Sequence, residues 1–258
     1  MNRKLLPVLL LVFSSVITLA QETVDMAMMQ KIKDEGRNHS QVTLIAHNLT
    51  DVCGPRLTNS PGYNCALDWV TQICNQWGLA NAGREAWGEF GKGWSNEVGT
   101  LAMRSPYYES IIAYPVPWCK STKKAKKCEL VMLDQLDSAN IDKLGDAIKG
   151  KIVMIKPGNT SMPDAFKAYA TRFGDTSLDK LGEMYMVSRK QIEEFLPFIK
   201  REYYTRLYLA AKGAVGLVLS SRGSIDGTVF VDGGTGYKKG FEPTLPEMKI
   251  GREDYLKL

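Results

Sequence analysis

The side chains with most capacity for chemistry are two histidines, His39 and His47, and five cysteines, Cys53, Cys65, Cys74, Cys119 and Cys128. A two-metal hydrolase needs several His, Asp and Glu side chains converging on a bridging carboxylate and an activated water. Two histidines eight residues apart do not supply that set. His39, near a helix start, and His47, within a helix, read as ordinary surface or partly buried residues. The cysteines show no C-x-x-C spacing, which argues against zinc held by thiolates.

In an oxidising compartment these cysteines are free to form disulfides. Cys119 and Cys128 bracket a Lys-rich stretch with strand-like sequence on both sides. A cross-hairpin disulfide is their natural pairing, worth roughly 2–3 kcal/mol through loop entropy. Cys65 and Cys74 lie nine residues apart on a predicted helix. That is about 13.5 Å of rise and opposite faces, so they do not bond each other. Cys53 can reach either one, and one thiol is left over as a small buried apolar residue.

Other constellations are less pointed. Lys120, Lys123, Lys124, Lys126 and Lys127 form a basic cluster that either contacts an anionic surface or keeps a hairpin tip solvated. Asp232-Gly233-Gly234-Thr235-Gly236 lacks the Gly-Lys-Ser/Thr ending of a phosphate loop and reads as a turn. Ser220-Ser221-Arg222-Gly223 follows a buried strand without the Gly-x-Ser-x-Gly elbow of a serine hydrolase. Trp69 and Trp77 belong to a helical stripe and read as core, whereas Trp87, Trp94 and Trp118 lie near turns and are candidates for an exposed groove. Asn38, Asn48 and Asn159 each begin a glycosylation sequon. No catalytic, cofactor-binding or metal-ligating residue is assigned on these grounds.

The elements that would position these groups follow from periodicity and punctuation. Helices are predicted over Val24 to Glu35, from a Ser40 cap to about Asp51, and from Ser60-Pro61 to Gly78, the last with Cys65, Trp69, Ile73 and Trp77 on one stripe. Strand-like segments follow at Ala82 to Trp87, Val98 to Arg104, Ser110 to Tyr114 and Glu129 to Leu133. Ser138 opens a helix to Ile148. Lys151 to Ile155 and Ala214 to Ser220 read as buried strands, separated by a helix from Ser188 to Ala211 with Pro197 inside it. Thr228 to Val231 reads as a further strand. Strand, helix, strand over Lys151 to Ser220 is a βαβ-like unit, and the fold class expected is α/β.

Of the 258 residues, 44% are hydrophobic and 24% charged, which excludes wholesale disorder. Residues 1–20 read as a signal peptide: Arg3 and Lys4, an apolar run from Leu5 to Ala20, and small residues Thr18 and Ala20 before a cut at Gln21. Sixteen residues are short for a bilayer span, which needs roughly 20. The expected location is therefore secreted or periplasmic, with no membrane attachment after cleavage. Losing Arg3 and Lys4 lowers the basic count from 33 to 31 against 28 acids, so the net charge falls from +5 to +3. That is too mild to point to nucleic acid.

Several of these segments resemble a known family when taken together. Gly54-Pro55-Arg56-Leu57-Thr58 followed by Ser60-Pro61-Gly62, then Gln76-Trp77-Gly78-Leu79 and Glu85-Ala86-Trp87, resemble the N-terminal segment of secreted di-zinc exopeptidases. The closest branch comprises aminopeptidases and plasma glutamate carboxypeptidase-like enzymes carrying an inserted protease-associated (PA) domain. Lys149-Gly150-Lys151-Ile152-Val153, Ala211-Lys212-Gly213-Ala214-Val215-Gly216-Leu217, and Leu245-Pro246 with Ile250-Gly251-Arg252-Glu253-Asp254-Tyr255 resemble strands and the closing stretch of that PA domain.

The resemblance implies residues 21–100 as the start of a peptidase domain and 101–258 as a PA-like domain, with peptides as substrates. In the family the metal ligands follow the PA domain, and no residue of this chain matches them. The expectation is a truncated member, inactive alone, with zinc belonging to a full-length protein. The alternative is a non-catalytic secreted PA-type module that binds proteins or peptides. Substrate and oligomeric state are left open.

Overall fold

The computed structural model describes residues 24–158, 172–182, 186–221, 227–234 and 236–258. The predicted signal peptide, the Asn159 sequon, and parts of the 220–223 and 232–236 segments lie outside the described residues. The chain divides into two compact units, up to Pro55 and from Arg56 onward.

In the first unit, helix α1 spans Met26–Asn38. The Asp25 carboxylate caps it by accepting from the backbone N–H groups of Ala27 and Met28, which satisfies donors the first turn leaves open. Helix α2 spans Val42–Ala46 and continues as a π-helical segment, His47–Val52. Both predicted helices are present, the second with its hydrogen-bond spacing widened after Ala46.

The second unit begins with helix α3, Pro61–Gln76, capped by Ser60, whose hydroxyl accepts from Tyr63 N–H at 3.1 Å. Proline at the first position and Gly78 at φ 78 mark its two ends. The predicted strand at Ala82 to Trp87 has no ladder partner among the described residues. Strands β1 (Leu101–Met103) and β2 (Glu109–Ile111) then form an antiparallel pair.

The body of the unit is a five-stranded sheet. Its strands are β3 (Ala113–Pro115), β4 (Leu130–Leu133), β5 (Ile152–Ile155), β6 (Gly216–Ser220) and β7 (Glu247–Ile250), in the order β3-β7-β6-β5-β4. Strands β4 to β7 run parallel, and β3 is antiparallel on one edge. The fold is α/β. Helix α4 (Ser138–Leu144), capped by the Asp137 carboxylate, runs into a 3-10 turn at Gly145–Ile148 and links β4 to β5. Helix α5 (Asp175–Asp179) and the long α6 (Arg189–Ala211) lie between β5 and β6, and α7 (Arg252–Lys257) follows β7.

Alternate side chains of the parallel strands pack on opposite faces, as strand geometry requires. Val153 and Leu217 pack with Leu133, Ile141, Ile148, Leu209 and Leu245 on one face. Met154 and Val218 pack with Ile111, Ile250 and Tyr255 on the other. Coverage on both faces explains why β5 and β6 read as continuous apolar runs.

Two further expectations are overturned. Cys119 and Cys128 do not bridge; both are free, as is Cys74, while Cys53 and Cys65 are disulfide-bonded. The reason is topological: β3 and β4 stand at opposite edges of the sheet, so their connection is a crossing loop and not a hairpin. The Cys119 thiol sits against the Glu247 carbonyl of β7 at 3.6 Å, and burial pushes it above its usual range. Thr228 to Val231 forms no strand. The buried Ser221 hydroxyl instead accepts from Phe230 N–H at 2.7 Å and donates to Phe230 C=O at 3.0 Å, taking both groups a ladder would use.

Candidate functional site

A groove of about 960 Å³ opens in the second unit. Its floor comes from Thr58, Asn59 and Tyr63 around the start of α3, one wall from residues 85–92, and the other from Tyr237, Lys238 and Lys239. Two glycines let these segments approach. A Cβ on Gly91, at φ 121, would stand 2.0 Å from the Tyr237 carbonyl oxygen. A Cβ on Gly93 would stand 2.1 Å from the Asn59 carbonyl oxygen. Neither separation is sterically possible, so only glycine fits at these positions.

Backbone and side-chain bonds fix the closeness that the glycines permit. Lys92 N–H donates to Tyr237 C=O at 3.0 Å, and the Asn59 amide donates to Gly91 C=O at 2.9 Å. Beneath them, Phe90 stacks on Tyr237 with centroids 4.6 Å apart, and Trp118 leans on both. Trp118 is buried, at φ 60, and its indole N–H donates to Lys92 C=O at 2.8 Å. Its predicted place on an exposed surface is thereby corrected: it is the base on which the groove rests. Trp87 is 75% exposed and lines the groove, as its position near a turn suggested. Trp94 is half-buried, edge-on to Tyr114. Trp77, expected in the core, is 50% exposed.

The groove carries both signs of charge. Glu85 and Glu89 stand on one wall, and Lys92, Lys238 and Lys239 complete it. Lys239 and Glu89 approach to 3.9 Å, and Lys92 pairs with Glu242 at 3.1 Å. An exposed aromatic flanked by acids and bases suits an extended chain with an apolar side chain and charged termini.

The remaining sequence candidates are placed elsewhere. In the first unit, His47 Nδ1 lies 2.9 Å from Asp51. Hydrogen bonds from His47 and Thr50 hold the Asp51 carboxyl below its usual range. His39 lies 3.4 Å from Glu35, one turn earlier on α1. Among the described residues no three His, Cys, Asp or Glu side chains converge as a metal site would require. No helix among them is long and apolar enough to cross a membrane. Lys123, Lys124, Lys126 and Lys127 are exposed along the β3–β4 loop.

Sequence reasoning missed one buried charge cluster. Glu247 on β7 is 4% exposed and accepts from Arg206 of α6 at 2.8 and 3.2 Å. Arg206 also donates to Glu202 at 2.8 Å. Burial opposes the charged guanidinium, but bonds and attraction to Glu247 and Glu202 outweigh it and hold Arg206 above its ordinary range. The pair is 41 residues apart, so no local spacing announces it. A charged residue inside a short strand was the available signal.

No family model matches the sequence, and no curated protein matches it. Among solved structures, the chain is similar to BSAP, a zinc aminopeptidase from Bacillus subtilis. The TM-score is 0.42 and the identity 12%, over 84% of this chain and 39% of that one.

Proposed function

We propose that this chain is the N-terminal segment and PA-type domain of a secreted zinc exopeptidase, and that it holds and sorts peptide substrates for a metal centre built on other residues. One observation carries the reading. The three PA-like segments, 149–153, 211–217 and 245–255, are dispersed in sequence yet hydrogen-bonded neighbour to neighbour. Gly150 N–H donates to Gly213 C=O at 2.9 Å, Val215 N–H to Lys151 C=O at 2.9 Å, and Leu217 N–H to Pro246 C=O at 2.9 Å. Both turn glycines have positive φ, 74 and 92, where other residues are strained. Three segments that resemble one domain in sequence are neighbours at the centre of one sheet, which supports the reading.

In this reading the groove at Trp87 is the peptide contact. It would bind uncharged main chain along the 85–92 segment and receive a terminal charge among Glu85, Glu89, Lys238 and Lys239. Zinc would supply the Lewis acid and the activated water of hydrolysis in the complete protein.

The test uses the native protein, isolated from extracellular fractions of its source with an antibody against this chain. The expected result is a mature N-terminus at Gln21, bound zinc, and release of terminal residues from peptides that a chelator abolishes. A native protein without zinc and without exopeptidase turnover, but with saturable peptide binding, would replace this reading by that of a non-catalytic binding module.

A further inference from the structure

Helix α6 buries only part of its length. Its C-terminal part is packed: Tyr203 and Leu209 are buried, Leu209 in the cluster against β5 and β6, and Arg206 holds Glu247 of β7. The stretch from Arg189 to Arg201 is uncovered, with every residue exposed except the half-buried Ile199. Thirteen residues of helix rise about 20 Å, so a long face stands clear of the sheet.

That face is not polar all round. Ile192, Phe195, Leu196 and Ile199 recur at i, i+3, i+4 and i+7, the spacing of a single helical stripe. Tyr203, four residues beyond Ile199, carries the stripe into the packed part. The stripe that fastens α6 to the sheet at one end thus runs on uncovered at the other. Ile192 is 50% exposed, Phe195 57% and Leu196 45%. Phe198 flanks it, stacked on Phe195 with centroids 5.5 Å apart. Pro197 falls on the far side of the helix and leaves the stripe unbroken.

The flanks indicate what covers it. Glu193 and Lys200, both exposed, lie seven residues apart along one flank. When two copies of the helix lie antiparallel about the 196–197 peptide, each Glu193 meets the second copy's Lys200. One two-fold rotation makes both pairs at once, which is the property of an isologous interface. The same arrangement lays the two stripes together, with Phe195 and Leu196 central and Ile192 and Ile199 at the ends. Glu193 also accepts from Arg189 at 2.8 Å, but those side chains are 60% and 92% exposed, and such a pair holds weakly against a new partner. A carboxylate on the flank opposes an anionic lipid surface, whose helices carry Lys and Arg there.

We propose that the N-terminal half of α6 is a docking face for a second copy of this chain. The copies pair antiparallel through Ile192, Phe195, Leu196 and Ile199, and reciprocal Glu193–Lys200 pairs set the register. A contact of this length lies at the small end of protein interfaces, so the dimer is weak and concentration-dependent. The proposal does not depend on the exopeptidase reading.

The test is sedimentation equilibrium of the full chain from about 1 to 500 μM, which spans the affinities of small interfaces. A monomer–dimer equilibrium is expected. Phe195→Glu, at an exposed position, should weaken it more than tenfold. Glu193→Lys and Lys200→Glu each set like charges together and should each weaken it about tenfold. The double variant should recover it, and an equimolar mixture of the two single variants should form a mixed dimer. Trp77→Ala, on the exposed face of α3, should leave it unchanged. A chain that is monomeric throughout the range overturns the proposal, as does association that Trp77→Ala abolishes or that the charge reversals leave unaltered. A monomer that instead sediments with phosphatidylethanolamine–phosphatidylglycerol vesicles, and loses this with Phe195→Glu, would overturn it in favour of a lipid surface.

Discussion

Within the second unit, the five-stranded sheet and the stretch from 56 to 100 bury their apolar residues differently. The sheet, its helices and the loop entering β7 hold the largest fully buried side chains among the described residues, from Leu133 to Ile250. In residues 56–100 only Ser60 and Ala66 are buried, while Val70, Trp77, Leu79, Trp87 and Val98 are exposed. Both regions are amphipathic. An apolar stripe states that a helix has a face to cover, but only long-range topology decides whether something covers it. The sheet covers both its faces with α4, α6, α7 and the β1–β2 pair, so its stability should be largely its own.

The sharpest test sets the same interaction in both regions. Glu247→Ala leaves the Arg206 guanidinium buried beside Glu202 alone and should cost about 3–5 kcal/mol. Arg84→Ala breaks the exposed pair with Asp68 beside α3 and should cost under about 1 kcal/mol. Urea denaturation of the two variants measures both. Equal losses would show that the two regions melt as one equally buried body. Packing gives the next contrast. Leu209→Ala opens a cavity at a side chain of zero exposure and should cost about 2–5 kcal/mol. Trp77→Ala should change stability by about 0.5 kcal/mol or less. It should also lower the fluorescence of an apolar dye bound to the intact chain, since an exposed aromatic patch attracts such dyes. A wild-type chain that binds no dye would mean the α3 face is too dispersed to act as a patch.

The contrast also explains what was legible in the sequence. Elements specified by local chemistry were read almost to the residue. Ser60-Pro61 sets the start of α3, Ser188 with Gln191 builds a capping box on α6, and the apolar runs of β5 and β6 mark buried parallel strands. Elements specified by distant partners were not. β7 opens on Glu247 and carries Lys249, both buried, so it has no apolar run. Its place between β3 and β6 separates β3 from β4 and defeats the Cys119–Cys128 pairing. The groove was half legible. Trp87 stood out by type and position, whereas Gly91, Gly93 and the Trp118 base depend on contacts more than 25 residues away.

A smaller effect separates local from tertiary stabilisation in α3. Ser60→Ala removes the hydroxyl that accepts from Tyr63 N–H and should cost about 1 kcal/mol. Ser60→Asp, which restores an acceptor at the cap, should recover part of it. The measurement is the shift in urea midpoint. A loss several times larger would mean that Ser60, buried as it is, serves packing more than capping.

The finest test concerns Tyr255, where the sheet is closed by a titratable group. Burial raises its phenol above the ordinary 10.0, against the opposing hydrogen bond to Ile155. The protonated form is the one that donates to Ile155 C=O, so the folded state favours the neutral phenol. A group whose folded pKa lies above its unfolded value contributes its stability fully below the unfolded pKa and loses it as pH rises through the folded one. The wild-type advantage over Tyr255→Phe should therefore be constant from about pH 8 to pH 9.5 and shrink above about pH 10. Urea midpoints of both proteins across that range give the difference directly, with other titrations common to the pair cancelling. An advantage that persists unchanged to about pH 11 would mean that the ring, and not the hydroxyl, is what seals this end of the sheet. That outcome would leave the buried apolar faces alone to explain why the sheet holds together where the stretch before it does not.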